Sequence, residues 1–378
     1  MIKIHQGEVD CDPAGARYDS RALDALDAHF ERLIEAKRIQ CASYMLSRGG
    51  KVFARKALGN LRWTEDSPGL RTDSIRHVAS ISKIFTATAV MQQVERGKLY
   101  LYQSVASIIP EFDTKQHKAI TIVDLLTHTS GLKPDSGAMA EPYPVGWKKF
   151  DDSPEGLSEM LKDFLSGPVL RPRCTEWMYC STGFAVLAEV VKRVTGMGFI
   201  DYVKAEILEP LGMSETSIGV VDEGKSDRVC LTGECEDWLY KRRYGKYMEV
   251  FAAGNGLIST LSDMHRFGLA LLNKGKLDGA RVLGESTLAL MARNQLSGVS
   301  SVCWGSPKVE DYHYGLGFVL YEGGNFSPGC FGHEGAGRSV LIVDPEEEFV
   351  AMWYVPSQSG WVAESIHNPP AIMWSGLL

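Results

Sequence analysis

Features that define several large protein classes are missing from this sequence of 378 residues. No run of about 18 apolar residues occurs, so we expect no membrane span and no membrane partner. No basic block occurs either, and the formal net charge is −7 at pH 7, so nucleic acid is not an expected partner. Residues 1–20 contain no apolar core segment of the kind that marks a secretory signal.

Cysteine is present but does not form metal-binding patterns. The chain has eight cysteines, and the nearest pair in the sequence, Cys230 and Cys235, has no second pair to complete a zinc site. No histidine–cysteine–carboxylate cluster has ligand spacing, so we expect no metal and no cofactor. In a chain of this length without an export signal, the cysteines are expected to be reduced thiols, which predicts a cytoplasmic location.

The composition is that of an ordinary globular protein, with 44% hydrophobic and 23% charged residues. The length is sufficient for one large domain or two closely joined domains with a sizeable core.

The most informative stretch is residues 76–97, which the pattern predicts to be a helix with Ser80 and Lys83 in its first turn. Its body, residues 84–91, is nearly free of polar side chains except for Thr86 and Thr88. An apolar sequence on every face of a helix indicates a helix that is buried all round.

The Ser-x-x-Lys spacing brings the two side chains together, because residues three apart lie on one face of a helix. The hydroxyl of Ser80 can then hydrogen-bond the amine of Lys83. The free N–H groups and the partial positive charge of a helix N-terminus suit a developing oxyanion. Burial and the helix dipole disfavour the ammonium form of the lysine, so it can act as a base.

The motif by itself is weak evidence. The same spacing occurs at Ser130 and Lys133, where Gly131 and Pro134 predict a turn instead of a helix. The ordinary alternative at residues 80–83 is an N-cap serine with a nearby surface lysine.

Strand and helix patterns along the chain predict the fold class. We expect an α/β (α+β) protein in which strands from both ends form one antiparallel sheet flanked by helices, with a mostly helical inserted region. The predicted division is an α/β sheet domain of residues 1–84 and 251–378 and a mostly helical domain of residues 85–250. The predicted strands are 41–47, 51–59, 314–322, 338–344 and 348–356. Two stretches are predicted to be irregular, 133–153 and the charged segment 214–250, and the first is a long loop of the kind that often borders a binding site.

Three short motifs carry a family resemblance: SISK at 80–83, YCS at 179–181 and HEG at 333–335. Their order and spacing resemble those of the serine beta-lactamase and penicillin-binding protein superfamily. The similarity is greatest to the group of class C beta-lactamases and related esterases, D-aminopeptidases and transacylases. Longer segments resemble the family as well: DLLTHTSGL (124–132), WMYCSTGFAVLAEVV (177–191), EPLGM (209–213), GNGLISTLSDM (254–264) and FGHEGAGRS (331–339). The resemblance implies a beta-lactamase/transpeptidase-like fold.

The resemblance implies roles for three side chains. Ser80 would be the nucleophile that forms an acyl-enzyme, and Lys83 would share its proton. Tyr179 would act as general base with Lys83 and later protonate the leaving group. A tyrosine pKa near 10 would have to fall towards 7, which requires about 4 kcal/mol of stabilisation by a nearby cation. The alternative for Tyr179 is an aromatic side chain packed beside Trp177.

The resemblance also implies an oxyanion hole formed by the backbone N–H groups of Ser80 and Ala336. Gly335 would let its strand approach the substrate closely. His333 would face the cleft and hydrogen-bond Tyr179 or the substrate. The alternative is that His333 is a turn histidine without a role.

Two positions depart from the family pattern. The second motif usually ends in asparagine, whereas Ser181 has a shorter side chain with a single donor, which puts recognition of a substrate amide in doubt. The third motif usually begins with lysine in beta-lactamases and penicillin-binding enzymes. His333 is neutral or only partly charged near pH 7, so a permanent cation is missing, as in the esterases and transacylases of the family.

The sequence therefore predicts a cytoplasmic serine hydrolase or acyltransferase that acts on a small ester, thioester or amide through an acyl-Ser80 intermediate. Its expected partner is a small-molecule acyl substrate, and the oligomeric state is left open. One alternative is a beta-lactamase or a D-amino-acid peptidase or amidase. A second is a non-catalytic binding protein on the same fold. Five aromatic residues can line an apolar acyl pocket or belong to the core: Trp147, Trp177, Trp304, Tyr312 and Trp353.

Overall fold

The structure is a computed structural model that describes residues 2–135, 138, 159, 161–162, 164–219, 221, 223–232, 253–336, 338–356 and 362–378. Most of the predicted irregular stretches 133–153 and 214–250 lies outside these residues, as does Trp147.

A seven-stranded sheet organises the fold, and its strands come from both ends of the chain. In spatial order it runs β1-β3-β2-β7-β6-β5-β4, and every neighbouring pair is antiparallel. The central pair joins β2 from the N-terminal part to β7 from the C-terminal part. The predicted fold class is therefore confirmed. The strands are β1 Ile4–Gln6, β2 Cys41–Arg48, β3 Lys51–Gly59, β4 Val319–Tyr321, β5 Cys330–Gly335, β6 Ser339–Asp344 and β7 Phe349–Tyr354.

Both faces of the sheet are covered. Helices α1 and α8 pack against each other and contribute Phe30 and Trp374 to a core cluster that also contains Trp353 of β7. Helix α6 packs on the opposite face against β6 and β7. The helices are α1 Ser20–Glu35, α2 Ser82–Glu95, α3 Ile122–Leu126, α4 Ser181–Thr195, α5 Phe199–Val203, α6 Leu261–Leu272, α7 Glu285–Met291 and α8 Glu364–Trp374.

Helix α2 lies in the largest core cluster and packs against α4 and α5. Residues 82–93 are all buried, which confirms the prediction of a helix enclosed on every face. Its start differs from the prediction, because residues 76–97 do not form one helix. Arg76–His77 is a short strand and Ala79–Ile81 a 3₁₀ turn, so Ser80 precedes the α-helix.

Short strands complete the described part of the fold. Arg76–His77 and Ser217–Ile218 each pair antiparallel with Leu257–Ser259, which fixes the chain just before Ser80. Glu176–Trp177 pairs parallel with Ser300–Ser301, just before Tyr179, and Lys276–Leu277 pairs with Ala280–Arg281. Within the described ranges, no helix has both the length and the apolar character needed to cross a membrane. The division into domains 1–84 with 251–378 and 85–250 stays a prediction.

Candidate active site

The turn before α2 presents Ser80 at the edge of the core. Ala79 has a φ of 48°, in the left-handed region that is uncommon for residues with a side chain. The hydroxyl of Ser82 stabilises this turn, because its Oγ donates to the Ala79 carbonyl at 2.6 Å and accepts from the Leu257 N–H at 2.9 Å. Ser80 is partly exposed, whereas Lys83 is fully buried. The structure therefore offers a reachable hydroxyl beside an enclosed amine.

Among the described residues, Lys83 contacts three oxygen atoms. Its Nζ donates to Ser80 Oγ at 3.3 Å, to Ser181 Oγ at 2.9 Å and to the Gly254 carbonyl at 2.8 Å. An ammonium has three N–H donors, so these partners can satisfy it completely. Burial nevertheless lowers the pKa of Lys83 to about 8, and the nearby charge of Asp135 opposes part of that fall. A substantial neutral fraction therefore exists near physiological pH, as a general base requires.

Tyr179 lies beside this amine. Lys83 Nζ is 4.7 Å from the centroid of the Tyr179 ring, a cation–π contact that a positive amine favours. Burial raises the pKa of Tyr179, and the charge of Asp135 adds to the rise, which a side-chain hydrogen bond with Ser80 partly opposes. This direction is opposite to the lowered pKa that the sequence-based mechanism needed. The phenol therefore stays protonated in the resting protein.

Ser181 links Lys83 to a carboxylate that the sequence analysis did not identify. Ser181 begins α4, and its N–H and Oγ donate to Asp135 Oδ1 and Oδ2, both at 2.6 Å. A carboxylate in this position satisfies a backbone donor at the helix N-terminus. No local pattern around Asp135 marks it as functional. The only sign of it in the sequence was that position 181 is a serine where the family pattern has an asparagine.

His128 is a second residue that the sequence analysis did not single out. It is buried, its φ is 58°, and its Nδ1 accepts from the Cys180 N–H at 3.0 Å. Its ring centroid is 4.5 Å from that of Tyr179. His128 therefore holds the 179–181 segment in place, and its position inside the quoted segment 124–132 was the available signal.

His333 is close to the cleft residues, but its hydrogen bonds differ from those expected. Its Nδ1 contacts the Glu334 carbonyl at 2.6 Å, and because a carbonyl only accepts, Nδ1 carries the proton. Nε2 then accepts from the Tyr314 hydroxyl at 3.5 Å. The ring centroid lies 6.4 Å from that of Tyr179, without a hydrogen bond to it among the described contacts. Burial lowers the pKa of His333 to about 3, so the side chain is neutral.

Gly335 brings β5 against the segment that leads to Ser80. A Cβ atom at Gly335 would lie 2.1 Å from the Val78 carbonyl oxygen, which also accepts from Ser339 Oγ at 2.7 Å. Close backbone packing therefore requires a glycine here, and the expected approach of its strand to substrate stays a prediction. Ala336 is exposed in the turn after β5. The assignment of the Ser80 and Ala336 N–H groups as an oxyanion hole stays a prediction.

The aromatic residues divide between core and cleft. Trp353 is fully buried among residues that contact α1 and α8, and Trp177 is buried against Tyr312 with ring centroids 4.6 Å apart. Trp304 differs, because it is 56% exposed, has a φ of 63° and lies 5.7 Å from the Tyr179 ring. Trp304 therefore reaches the mouth of the site. In the part of the chain that is described, no group of three or more His, Cys, Asp or Glu side chains could hold a metal ion.

Comparison with known proteins identifies the family. The sequence matches the family model described as Beta-lactamase over residues 26–367. The chain therefore belongs to the beta-lactamase family, whose members include serine hydrolases and acyltransferases.

Individual relatives carry different names. Penicillin-binding protein 4 of Amycolatopsis lactamdurans is 31% identical over 297 residues, which cover 74% of this chain and 71% of that protein. Esterase EstB of Burkholderia gladioli is 32% identical over 217 residues, 54% of each chain, so the match spans about half of EstB. A solved structure entitled "EstCE1, a hydrolase with promiscuous acyltransferase activity" superposes with a TM-score of 0.74 at 18% identity, over 94% of this chain and 98% of that one. That likeness supports the fold.

Proposed function

We propose that this protein is a serine hydrolase or acyltransferase that acts on a small ester, thioester or amide through an acyl-Ser80 intermediate. The observation that carries the proposal is the contact between Lys83 Nζ and Ser80 Oγ at 3.3 Å, with the amine buried and the hydroxyl reachable. A base within hydrogen-bond reach of a hydroxyl is the geometry that nucleophilic catalysis requires.

In the acylation step, neutral Lys83 takes the proton of Ser80 while Oγ bonds to the carbonyl carbon of the substrate. The carbonyl oxygen becomes an oxyanion, which the N–H groups of Ser80 and Ala336 are proposed to bind. The tetrahedral intermediate then collapses, and the bond to the leaving group breaks. Tyr179 gives its proton to the leaving group and recovers one from the Lys83 ammonium. Lys83 is therefore neutral again in the acyl-enzyme.

Deacylation uses the same groups in reverse. Water or another nucleophile gives a proton to Lys83 and bonds to the acyl carbon. The bond to Ser80 Oγ then breaks, and the Lys83 ammonium returns a proton to Oγ. Hydrolysis and acyl transfer differ only in the identity of this nucleophile.

The charge of the site favours neutral substrates. Burial keeps His333 uncharged, so this position offers no cation to a substrate carboxylate. This supports esters and thioesters over beta-lactams and cell-wall peptides, which carry such a carboxylate. The beta-lactamase or D-amino-acid peptidase alternative is kept because of the relative named penicillin-binding protein 4.

Labelling with a fluorophosphonate probe followed by peptide mass spectrometry tests the proposal. We expect an adduct on Ser80 in the native protein and none in Ser80→Ala. Ser375→Ala, at an exposed serine near the C-terminus, is the matched control and should react normally. Absence of an adduct on native Ser80 would support the non-catalytic binding protein instead.

Comparing turnover of p-nitrophenyl esters with turnover of nitrocefin separates the two enzymatic readings. We expect ester turnover to be faster, and a preference for nitrocefin would favour the beta-lactamase alternative. We also propose a cytoplasmic location, in whose reducing conditions the cysteines of the chain would stay as thiols. Cell fractionation tests that location.

A further inference from the structure

The hydroxyl of Ser181 is bonded on both sides. Lys83 Nζ donates to Ser181 Oγ at 2.9 Å, and Ser181 Oγ donates to Asp135 Oδ2 at 2.6 Å. A hydroxyl has one proton, and an ionised carboxylate can only accept. The Ser181 proton is therefore committed to Asp135, and Ser181 presents only lone pairs to Lys83.

The carbonyl of Gly254 restricts Lys83 in the same way, because it accepts from Nζ at 2.8 Å and cannot donate. A neutral amine has two hydrogens and one lone pair. When Ser181 and Gly254 each accept one of these hydrogens, the third contact of the amine, Ser80 Oγ at 3.3 Å, is the one left for the lone pair. The lone pair then points at the proton that Lys83 must remove.

We propose that Asp135 is a positioning residue that fixes Ser181 as a hydrogen-bond acceptor and so aims the Lys83 lone pair at Ser80. This role rests on the proposed function. It also accounts for the departure at position 181. An asparagine offers a carbonyl oxygen that accepts without help, whereas a serine hydroxyl can either donate or accept. Asp135 removes that choice and makes the hydroxyl equivalent to an amide oxygen.

Removal of the Asp135 carboxylate has a defined consequence. The Ser181 O–H becomes free to rotate towards Lys83 and donate to its lone pair. That bond competes with Ser80 for the same lone pair. The charge of Asp135 is lost as well, and because this charge raises the pKa of Lys83, the acid limb of the acylation rate should move to lower pH.

A double-mutant cycle tests the role, with the rate of Ser80 labelling by a fluorophosphonate measured from pH 6 to 10. We expect Asp135→Ala to slow labelling on the alkaline plateau by about tenfold or more, and to move the acid limb to lower pH. In a Ser181→Asn background, the same Asp135→Ala change should cost no more than about threefold, because the amide oxygen accepts unaided. Asp113→Ala, at an exposed aspartate, is the matched control.

The possible outcomes distinguish a positioning role of Asp135 from a purely structural role. Asp135 also contacts the first N–H of α4, so a purely structural role predicts the same loss in both backgrounds, and that result would overturn the inference. Equal labelling rates and equal pH profiles for the wild-type protein and Asp135→Ala would overturn it as well. If wild-type Ser80 is not labelled at all, the proposed function fails, and the positioning role fails with it.

Discussion

The pH dependence of acylation should follow the protonation of Lys83. Burial lowers the pKa of this amine from 10.5 to about 8. At pH 7 roughly one molecule in ten then has a neutral Lys83, compared with roughly one in 3,000 for an unperturbed lysine. Burial of the amine therefore increases the reactive fraction by about 300-fold at this pH, provided that the rest of the geometry is unchanged.

The direction of the pH profile of kcat/KM follows from which protonation state of Lys83 is reactive. Neutral Lys83 is the active form, so kcat/KM should rise with pH and level off above the pKa of about 8. Well below that value, the rate should fall about tenfold for each pH unit. The pKa of Tyr179 is raised, so the phenol should add no limb near neutrality.

The measurement is kcat/KM for a p-nitrophenyl ester between pH 5.5 and 9.5, corrected for spontaneous hydrolysis with Ser80→Ala. Lys83→Arg provides the control, because a guanidinium stays charged throughout this range. That variant should lose activity by orders of magnitude and show no limb near pH 8. A wild-type limb below pH 6, or near-normal turnover by Lys83→Arg, would refute the assignment of Lys83 as the base.

Three further substitutions test the other contacts. Tyr179→Phe keeps the packed ring and removes the proton donor, so kcat/KM for alkyl esters should fall about 100-fold. For p-nitrophenyl esters, whose leaving group needs no proton, kcat/KM should fall much less, and equal losses for both esters in steady-state assays would contradict this role. His333→Gln replaces a group that is already neutral, so the pH profile between pH 6 and 9 should not move, and a displaced acid limb would show that His333 titrates. Gly335→Ala places a Cβ atom 2.1 Å from the Val78 carbonyl oxygen, so a thermal melt should show a destabilisation of about 1–3 kcal/mol, and an unchanged melting temperature would show that β5 can shift freely.

The sequence was most informative where burial leaves a pattern. The apolar body of α2 predicted an enclosed helix, and the strand-like runs at both chain ends predicted one sheet. The strands predicted at 41–47 and 51–59 form the β2–β3 hairpin in the structure, and Gly49 and Gly50 between them have φ values of 55° and 76°, as a tight hairpin turn requires.

Elements with unusual composition were missed. Strand β5 has the sequence CFGHEG, which contains two glycines and no β-branched residue, so strand propensity did not mark it. Helix α8 contains Pro369 and Pro370, which normally argue against a helix interior. In the structure, the indole Nε1 of Trp353 donates to the Ser365 carbonyl at 3.4 Å, and proline at position 369 has no N–H to offer that carbonyl. Tertiary contact therefore compensates for the bond that the proline cannot make.

Prediction of the candidate site from the sequence was limited in a similar way. The motif residues Ser80, Lys83 and Tyr179 could be selected from spacing and resemblance, and the structure brings them together. Asp135 could not be selected, because its contact with Ser181 spans 46 positions and depends on how the chain folds. The sign of the Tyr179 pKa shift could not be foreseen either, since it depends on desolvation and on the charge of Asp135.

The burial of α2 over residues 82–93 links turnover to the integrity of the whole molecule. Lys83 is held by a helix whose residues 82–93 are all buried, so the amine cannot leave its position without opening the surrounding core. Residual esterase activity along a denaturant titration should therefore coincide with the loss of tryptophan fluorescence and far-ultraviolet dichroism. The enzyme assay would then serve as a reporter of cooperative denaturation, readable on unpurified samples in which optical signals are masked.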